Sequence, residues 1–191
     1  MALYCTPITG NIEKFLCGMK RGGLFGEIYV ANFGEVDSIT STAGDKEMDT
    51  IVMKTDPLTS NPYFWYRIVF KKNTAGLNNE VQFGNNKFVN QSITFSIEGI
   101  TKESLAALES AVDGEAVFIA KDYNDNWHVL GRIAGLEASA MTYGTGTAAD
   151  DLYGGEVTFS SEEPEFSNLV ANGTSIEVSD GAGGTETIVL D

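Results

Sequence analysis

The sequence predicts a mainly β protein with one flanking α-helix, and three observations predict it. Short runs alternate polar and apolar residues at period 2, most clearly Gln91-Ser92-Ile93-Thr94-Phe95-Ser96-Ile97, the mark of a half-buried strand. Gly, Asn, Asp and Ser punctuate these runs, and 21 glycines against four prolines favour tight turns over rigid linkers. A single stretch, 102–112, is helical. Thr101 stands at its N-cap and Glu103 puts negative charge in its first turn. Leu105, Leu108 and Val112 share one face at i, i+3 and i+7. Gly114 offers the left-handed stop.

The remaining elements follow in chain order. Residues 1–19 mix Pro7, Gly10 and Gly18 with scattered apolar positions and form an N-terminal arm. Ile28 to Phe33 is a strand, continued by Val36 to Ile39. A Ser/Thr/Gly/Asp loop fills 40–46, and a short strand centred on Ile51-Val52-Met53 follows. Asp56 to Pro62 is a loop with two prolines, each biasing its predecessor to extended geometry. Residues 63–72 read as a strong strand with five aromatic residues. A turn at 73–79 leads to a strand at 80–83, and 84–87 turns into the strand before the helix. Ala116 to Ala120 is a strand; Asn124-Asp125-Asn126 turns it, and Trp127 to Leu130 returns antiparallel. Residues 131–141 read as one long strand, with Gly131 and Gly135 marking a bulge or bend. A thirteen-residue loop spans 143–155, and Glu156 to Ser160 is a strand. Asn172-Gly173 is a strong hairpin signal, and 180–184 is a second turn. The division is an arm at 1–19, a β domain at 20–170 and a C-terminal ribbon at 171–191.

Charge narrows the function. Acidic residues number 27 and basic residues 12, for a formal net charge of −15. Arg132 is the last basic residue; the 59 positions from 133 to 191 hold eleven acids and no Lys or Arg. A reader of nucleic-acid sequence needs cations for phosphate, so that class is excluded. The acidity fits either a surface that repels DNA or plain solubility. No apolar run is long enough for a membrane helix, and the opening residues lack the basic and apolar regions of a secretory signal.

No catalytic constellation emerges, and no catalytic, cofactor-binding or metal-ligating residue is assigned. His128 is the only histidine and sits in a strand beside Trp127. Cys5 and Cys17 lie twelve apart without the ligand spacing of a zinc site. Asp122, Asn124 and Asn126 start like a calcium loop, but Trp127 stands where glycine is required and Ile133 where the bidentate Glu belongs. Turn chemistry explains that cluster. Glu162 and Glu163 are adjacent strand residues that point to opposite faces, so they form no glycosidase pair. With Pro164 and Glu165 they read as a solvated acidic turn.

The order of elements resembles the tail tube proteins of long-tailed bacteriophages and the related tube proteins of contractile injection systems. The residues that carry the likeness are the opening strand after Gly22-Gly23, the strand from Gln91 to Ile97 with its helix at 102–112, the hairpin from Val117 to Leu130, and the acidic strand from Glu156 to Pro164. The likeness covers roughly 20–170; the ribbon departs from it. It implies a tube-like β-sandwich or barrel, a ring, hexameric in that family, that stacks into a tube, DNA passing the lumen without specific binding, and other virion tail proteins as partners. The expected place is the virion tail, after synthesis in the host bacterial cytoplasm, without enzymatic activity, cofactor or membrane contact. A terminator, ring or head-decoration protein is a neighbouring role. The alternative is a carbohydrate-binding or adhesive β-sandwich that stacks sugars on Tyr63, Phe64, Trp65 and Tyr66.

Overall fold

The structure is a computed structural model that describes residues 21–83, 87–99, 101–145, 153–181 and 184–191, without the side chains at 103–105, 107 and 108. The arm at 1–19 with Cys5 and Cys17, the turn at 84–86, the middle of the 143–155 loop and the tip of the last hairpin lie outside the described residues. So do the Leu105 and Leu108 side chains of the expected helical face.

The chain is mainly β, with one short α-helix among the described residues. In order it forms β1 (Leu24–Asn32), a 3-10 turn (Phe33–Glu35), β2 (Val36–Thr40), β3 (Glu47–Met48), β4 (Thr50–Met53), β5 (Tyr66–Val69), β6 (Gly76–Phe83) and β7 (Lys87–Glu98). Helix α1 (Lys102–Val112) follows, at the bounds the sequence predicts. Then come β8 (Ala116–Asp122), β9 (Trp127–Leu130), β10 (Glu137–Gly144), β11 (Gly154–Glu163), β12 (Asn168–Val170), β13 (Thr174–Ser179) and β14 (Thr185–Leu190). They pair into a six-stranded sheet in the order β3-β12-β9-β8-β1-β5, a four-stranded sheet in the order β10-β11-β7-β6, and two ribbons, β13-β14 and β2-β4.

Strand β8 sets the layering. Its first five residues, Ala116 to Ala120, are all buried, as an unbroken apolar run requires when both faces of a strand are covered. Ala116, Phe118 and Ala120 face one core with Ile28, Ile93, Phe95, Leu130, Val157 and Phe159. Val117 and Ile119 face the other with Tyr29, Trp65, Trp127, Val129, Ile176, Val178 and Leu190. The first core lies between the two large sheets, where the Phe118 and Phe159 rings meet at 4.9 Å. The second lies between the six-stranded sheet and the ribbons. The molecule is therefore three layers deep, with the six-stranded sheet in the middle.

Several sequence expectations change. The strand expected over 63–72 is only four residues long, because Trp65 is pulled out of it. Its N–H donates to the Glu177 carbonyl (2.9 Å), and its carbonyl accepts from the Ser179 N–H (2.8 Å), which stitches the ribbon to the body. The turn expected over 73–79 ends earlier, since Gly76 to Asn79 pair with β7; cross-strand pairing outweighs the local turn preference of Asn and Gly. The long strand expected over 131–141 begins only at Glu137. Gly131 and Gly135 both take φ +73°, and the Gly135 N–H donates to the Gly131 carbonyl at 3.0 Å, so the two glycines make a turn instead of a bulge. The 143–155 loop is shorter than expected, because β10 and β11 pair as far as Gly144 and Gly154. A Cβ at Gly154 would stand 2.0 Å from the Ile97 carbonyl oxygen, so this close strand approach admits only glycine.

The C-terminal expectations change most. Asn172-Gly173 joins no hairpin: β12 pairs with β9 and β3, while β13 pairs with β14. The dipeptide is a corner where the chain switches sheets. The apolar faces of the ribbon demand cover from its own domain or a neighbour, and an exit at 168–173 points to an adjacent subunit; instead the ribbon docks on its own domain. Ile176, Val178 and Leu190 are buried in the second core. The main-chain oxygen of Asp191 accepts from Lys121 Nζ (2.6 Å) and Trp127 Nε1 (3.1 Å). Leu190→Ala is expected to destabilise the fold by about 2–5 kcal/mol, the usual range for a buried leucine that leaves a cavity. Urea unfolding followed by tryptophan fluorescence measures this, and a loss below about 1 kcal/mol would show the ribbon to be peripheral.

Candidate functional site

Among the described residues that sequence reasoning weighed for chemistry, His128, Asp122, Glu163 and Glu165 are held by structural partners. His128 Nε2 lies 3.4 Å from Asp122 Oδ2. Asp122 Oδ1 accepts from the backbone N–H groups of Asn124 (2.7 Å) and Asn126 (2.9 Å), and Oδ2 accepts from Asn126 Nδ2 (3.0 Å). This is the turn the sequence implies, with His128 as one more partner. Burial works against the Asp122 charge, but the hydrogen bonds from Asn126, Asn124 and His128 outweigh it and hold the carboxyl at about 2, below its usual 3.8.

The acidic stretch 162–165 is not the solvated turn expected. Glu162 is exposed, as its facing predicts. Glu163 is 1% exposed and accepts from the backbone N–H groups of Ala134 (2.9 Å) and Ile133 (3.2 Å). Burial pushes its carboxyl up, opposed by those two donors and by Arg132. Glu165 is also buried, yet Lys46 and Arg132 bond it and pull its carboxyl down. Gln91 completes the clasp: its Nε2 donates to the Glu165 carbonyl (2.8 Å) and its Oε1 accepts from the Gly131 N–H (3.2 Å). Burying carboxylates demands such partners, and here they lock β7, the 131–135 turn and the end of β11 together. The aromatic group at 63–66 is no flat platform, since Trp65 is fully buried and Tyr66 is half exposed.

What the structure leaves open is the outer face and both edges of the four-stranded sheet. Strand register places Asn78, Glu80 and Gln82 of β6 beside Ser92, Asn90 and Phe88 of β7. It places Thr94, Ser92 and Asn90 beside Thr158, Ser160 and Glu162 of β11. Ser160, Thr158 and Glu156 stand beside Glu137, Ala140 and Thr142 of β10. None of these positions is buried. The face carries Glu80, Glu137, Glu156 and Glu162 and no Lys or Arg, and a Thr94–Thr158 hydroxyl bond of 2.9 Å crosses its centre. Lys71, at the rim, is paired to Glu98 at 2.6 Å. The edges, β6 and β10, are each eight residues long, and each pairs on one side only. The alternation of β7 shows in the sequence that Ser92 and Thr94 share a face; the four-strand register that assembles the whole surface does not.

Comparison with known proteins returns no match: no family model, curated protein or solved structure aligns with this chain.

Asp122 carries a pH signature. Because its folded value lies below its unfolded one, the stability it adds is fully present above about pH 3.8 and is lost as pH falls towards 2. Asp122→Asn should therefore melt lower than wild type at pH 7, with the gap closing by pH 2. Thermal melts across that range check this, and parallel curves would contradict it.

Proposed function

We propose that this chain is a structural subunit of a bacteriophage virion, a tail tube or tail ring protein that oligomerises around a DNA-conducting channel. The observation that carries the reading is the four-stranded sheet, which is finished on one face, polar and acidic on the other, and open at both edges. Its strands alternate in direction, so β6 runs antiparallel to β10. A second copy related by rotation would therefore lay its β10 antiparallel on β6 with the alternation unbroken. Repeating the step around a ring closes the sheet into a barrel and removes every exposed edge. Neither edge carries proline or lysine within β6 or β10, two of the devices that protect lone edges, and the one irregularity, between Ala138 and Ala140 of β10, leaves its pairing intact as far as Gly144.

With its core face packed outward against the six-stranded sheet, such a barrel presents Ser, Thr, Asn, Gln and Glu to its lumen, with Phe88 and Ala140 among them. Four carboxylates per copy and no cations on that face repel phosphate, over a range of about 8 Å at physiological salt. DNA passes such a wall without being held. The partners are copies of the same chain, six to a ring in the family it resembles, together with other tail proteins. The reading needs no catalytic residue and no cofactor.

Negative-stain images and sedimentation of the concentrated protein test this. Closed rings with a central hole are expected, and a monomer at all concentrations would overturn the reading. The charge logic has its own check. Ser92→Lys combined with Thr158→Lys should leave the rings intact while they gain DNA retention at low salt, which wild type lacks. Equal retention by both would contradict a lumenal position for this face.

A further inference from the structure

We propose that a polar dish on the outer face of the four-stranded sheet, at the end where β6 stops and β7 begins, binds a neutral saccharide. The proposal needs only the fold, so it stands apart from the ring reading. The dish is a hollow of about 580 Å³, within the size range of small-ligand sites. Strand register assembles its floor: Gln82 stands beside Phe88, Asn90 beside Glu162, and Ser160 beside Glu137. All six line the hollow. The 131–135 turn walls one side through Ala134 and Gly135.

Buried side chains fix that wall from behind. Gln91 and Glu163 alternate with Asn90 and Glu162 along their strands and so point to the opposite face. Gln91 Oε1 accepts from the Gly131 N–H, and Glu163 Oε1 accepts from the Ile133 and Ala134 N–H groups. The Gly135 N–H donates back to the Gly131 carbonyl. Burying a carboxylate for this is costly, and a wall held in advance lowers the ordering cost of binding. The floor is the reverse case. Among the described residues, the side chains of Gln82, Asn90, Glu137, Ser160 and Glu162 take no internal hydrogen bond or ion pair, so their donors and acceptors are available to a ligand.

Donor and acceptor balance selects the ligand class. Carboxylates only accept, whereas amides and hydroxyls both donate and accept. A metal ion or an ammonium group uses acceptors alone and leaves the amide N–H donors of Gln82 and Asn90 unused. An anion meets Glu137 and Glu162 with no Lys or Arg in the lining to offset them. A sugar hydroxyl donates and accepts at once, so it serves carboxylate and amide together. Phe88 adds apolar surface on which the C–H groups of a sugar ring pack.

Saturation-transfer NMR on the intact protein tests this, with maltohexaose, cellohexaose and chitohexaose as probes and spermidine and glucose 6-phosphate as charged comparators. Transfer to at least one neutral sugar is expected. Its affinity should fall about ten-fold in Gln82→Ala, Asn90→Ala and Glu162→Gln, the usual effect of one lost hydrogen bond in a binding site. It should be unchanged in Asn78→Ala, which shares the face but lies outside the hollow. Glu162 is exposed, so its replacement leaves the fold alone, and circular dichroism checks the other variants. Absence of transfer to all three sugars would overturn the inference, as would equal affinity in every variant. Binding of spermidine or glucose 6-phosphate in place of the sugars would overturn it too. Sugar binding by a protein that never forms rings would sustain this inference and sink the ring reading.

Discussion

The structure depends on one constraint, the burial of β8 on both faces. Five consecutive apolar residues, Ala116 to Ala120, leave no side of that strand for water. Each side must be covered by something else, and the two covers differ. The four-stranded sheet closes over Phe118 with Phe95 and Phe159. The ribbons close over Val117 and Ile119 with Trp65, Ile176 and Leu190. Burial of apolar surface on this scale is the dominant favourable term in folding. It assigns each remaining element a place: β1 and β9 flank β8, and the C-terminal hairpin becomes core material.

The same layering decides what is left for function. The six-stranded sheet is the middle layer, so most of both its faces is spent on the two cores. The four-stranded sheet is an outer layer with one face spent on the core. Its other face holds hydroxyls, amides and carboxylates, and its edges hold unpaired backbone donors and acceptors. Meanwhile the buried carboxylates and the histidine among the described residues are already engaged. Glu163 and Glu165 serve as struts of the clasp around Arg132, Lys46 and Gln91, and His128 serves the Asp122 turn. The proposed assembly role rests on these free edges and this face, not on a motif.

Much of the fold was legible in the sequence where a single local rule dominates. Helix α1 has its N-cap candidate, its apolar spacing and its glycine stop within fifteen residues. Strand β7 alternates cleanly, and β8 shows the unbroken run of a doubly buried strand. Legibility failed where distant partners override local preference. Asn172-Gly173 has the chemistry of a hairpin turn, but β12 finds better partners in β9 and β3. Residues 63–72 look like one strand, yet Trp65 is claimed by the ribbon far along the chain. Glu163 and Glu165 read as solvated because their partners, the Ile133 and Ala134 N–H groups for Glu163 and Arg132 and Lys46 for Glu165, come from distant parts of the chain. The candidate surface was visible only in fragments, since Ser92 and Thr158 become neighbours through a register that no local pattern encodes.

Hydrogen exchange measured strand by strand, in the dilute protein and in its concentrated assembly, tests the central claim most directly. The pooled-sheet account predicts that amides on the open sides of β6 and β10 gain strong protection on assembly, while those of β8 are protected in both states. Unchanged exchange at β6 and β10 in an assembled particle would contradict it, for the copies would then be joined by other surfaces and the acidic face would line no closed barrel.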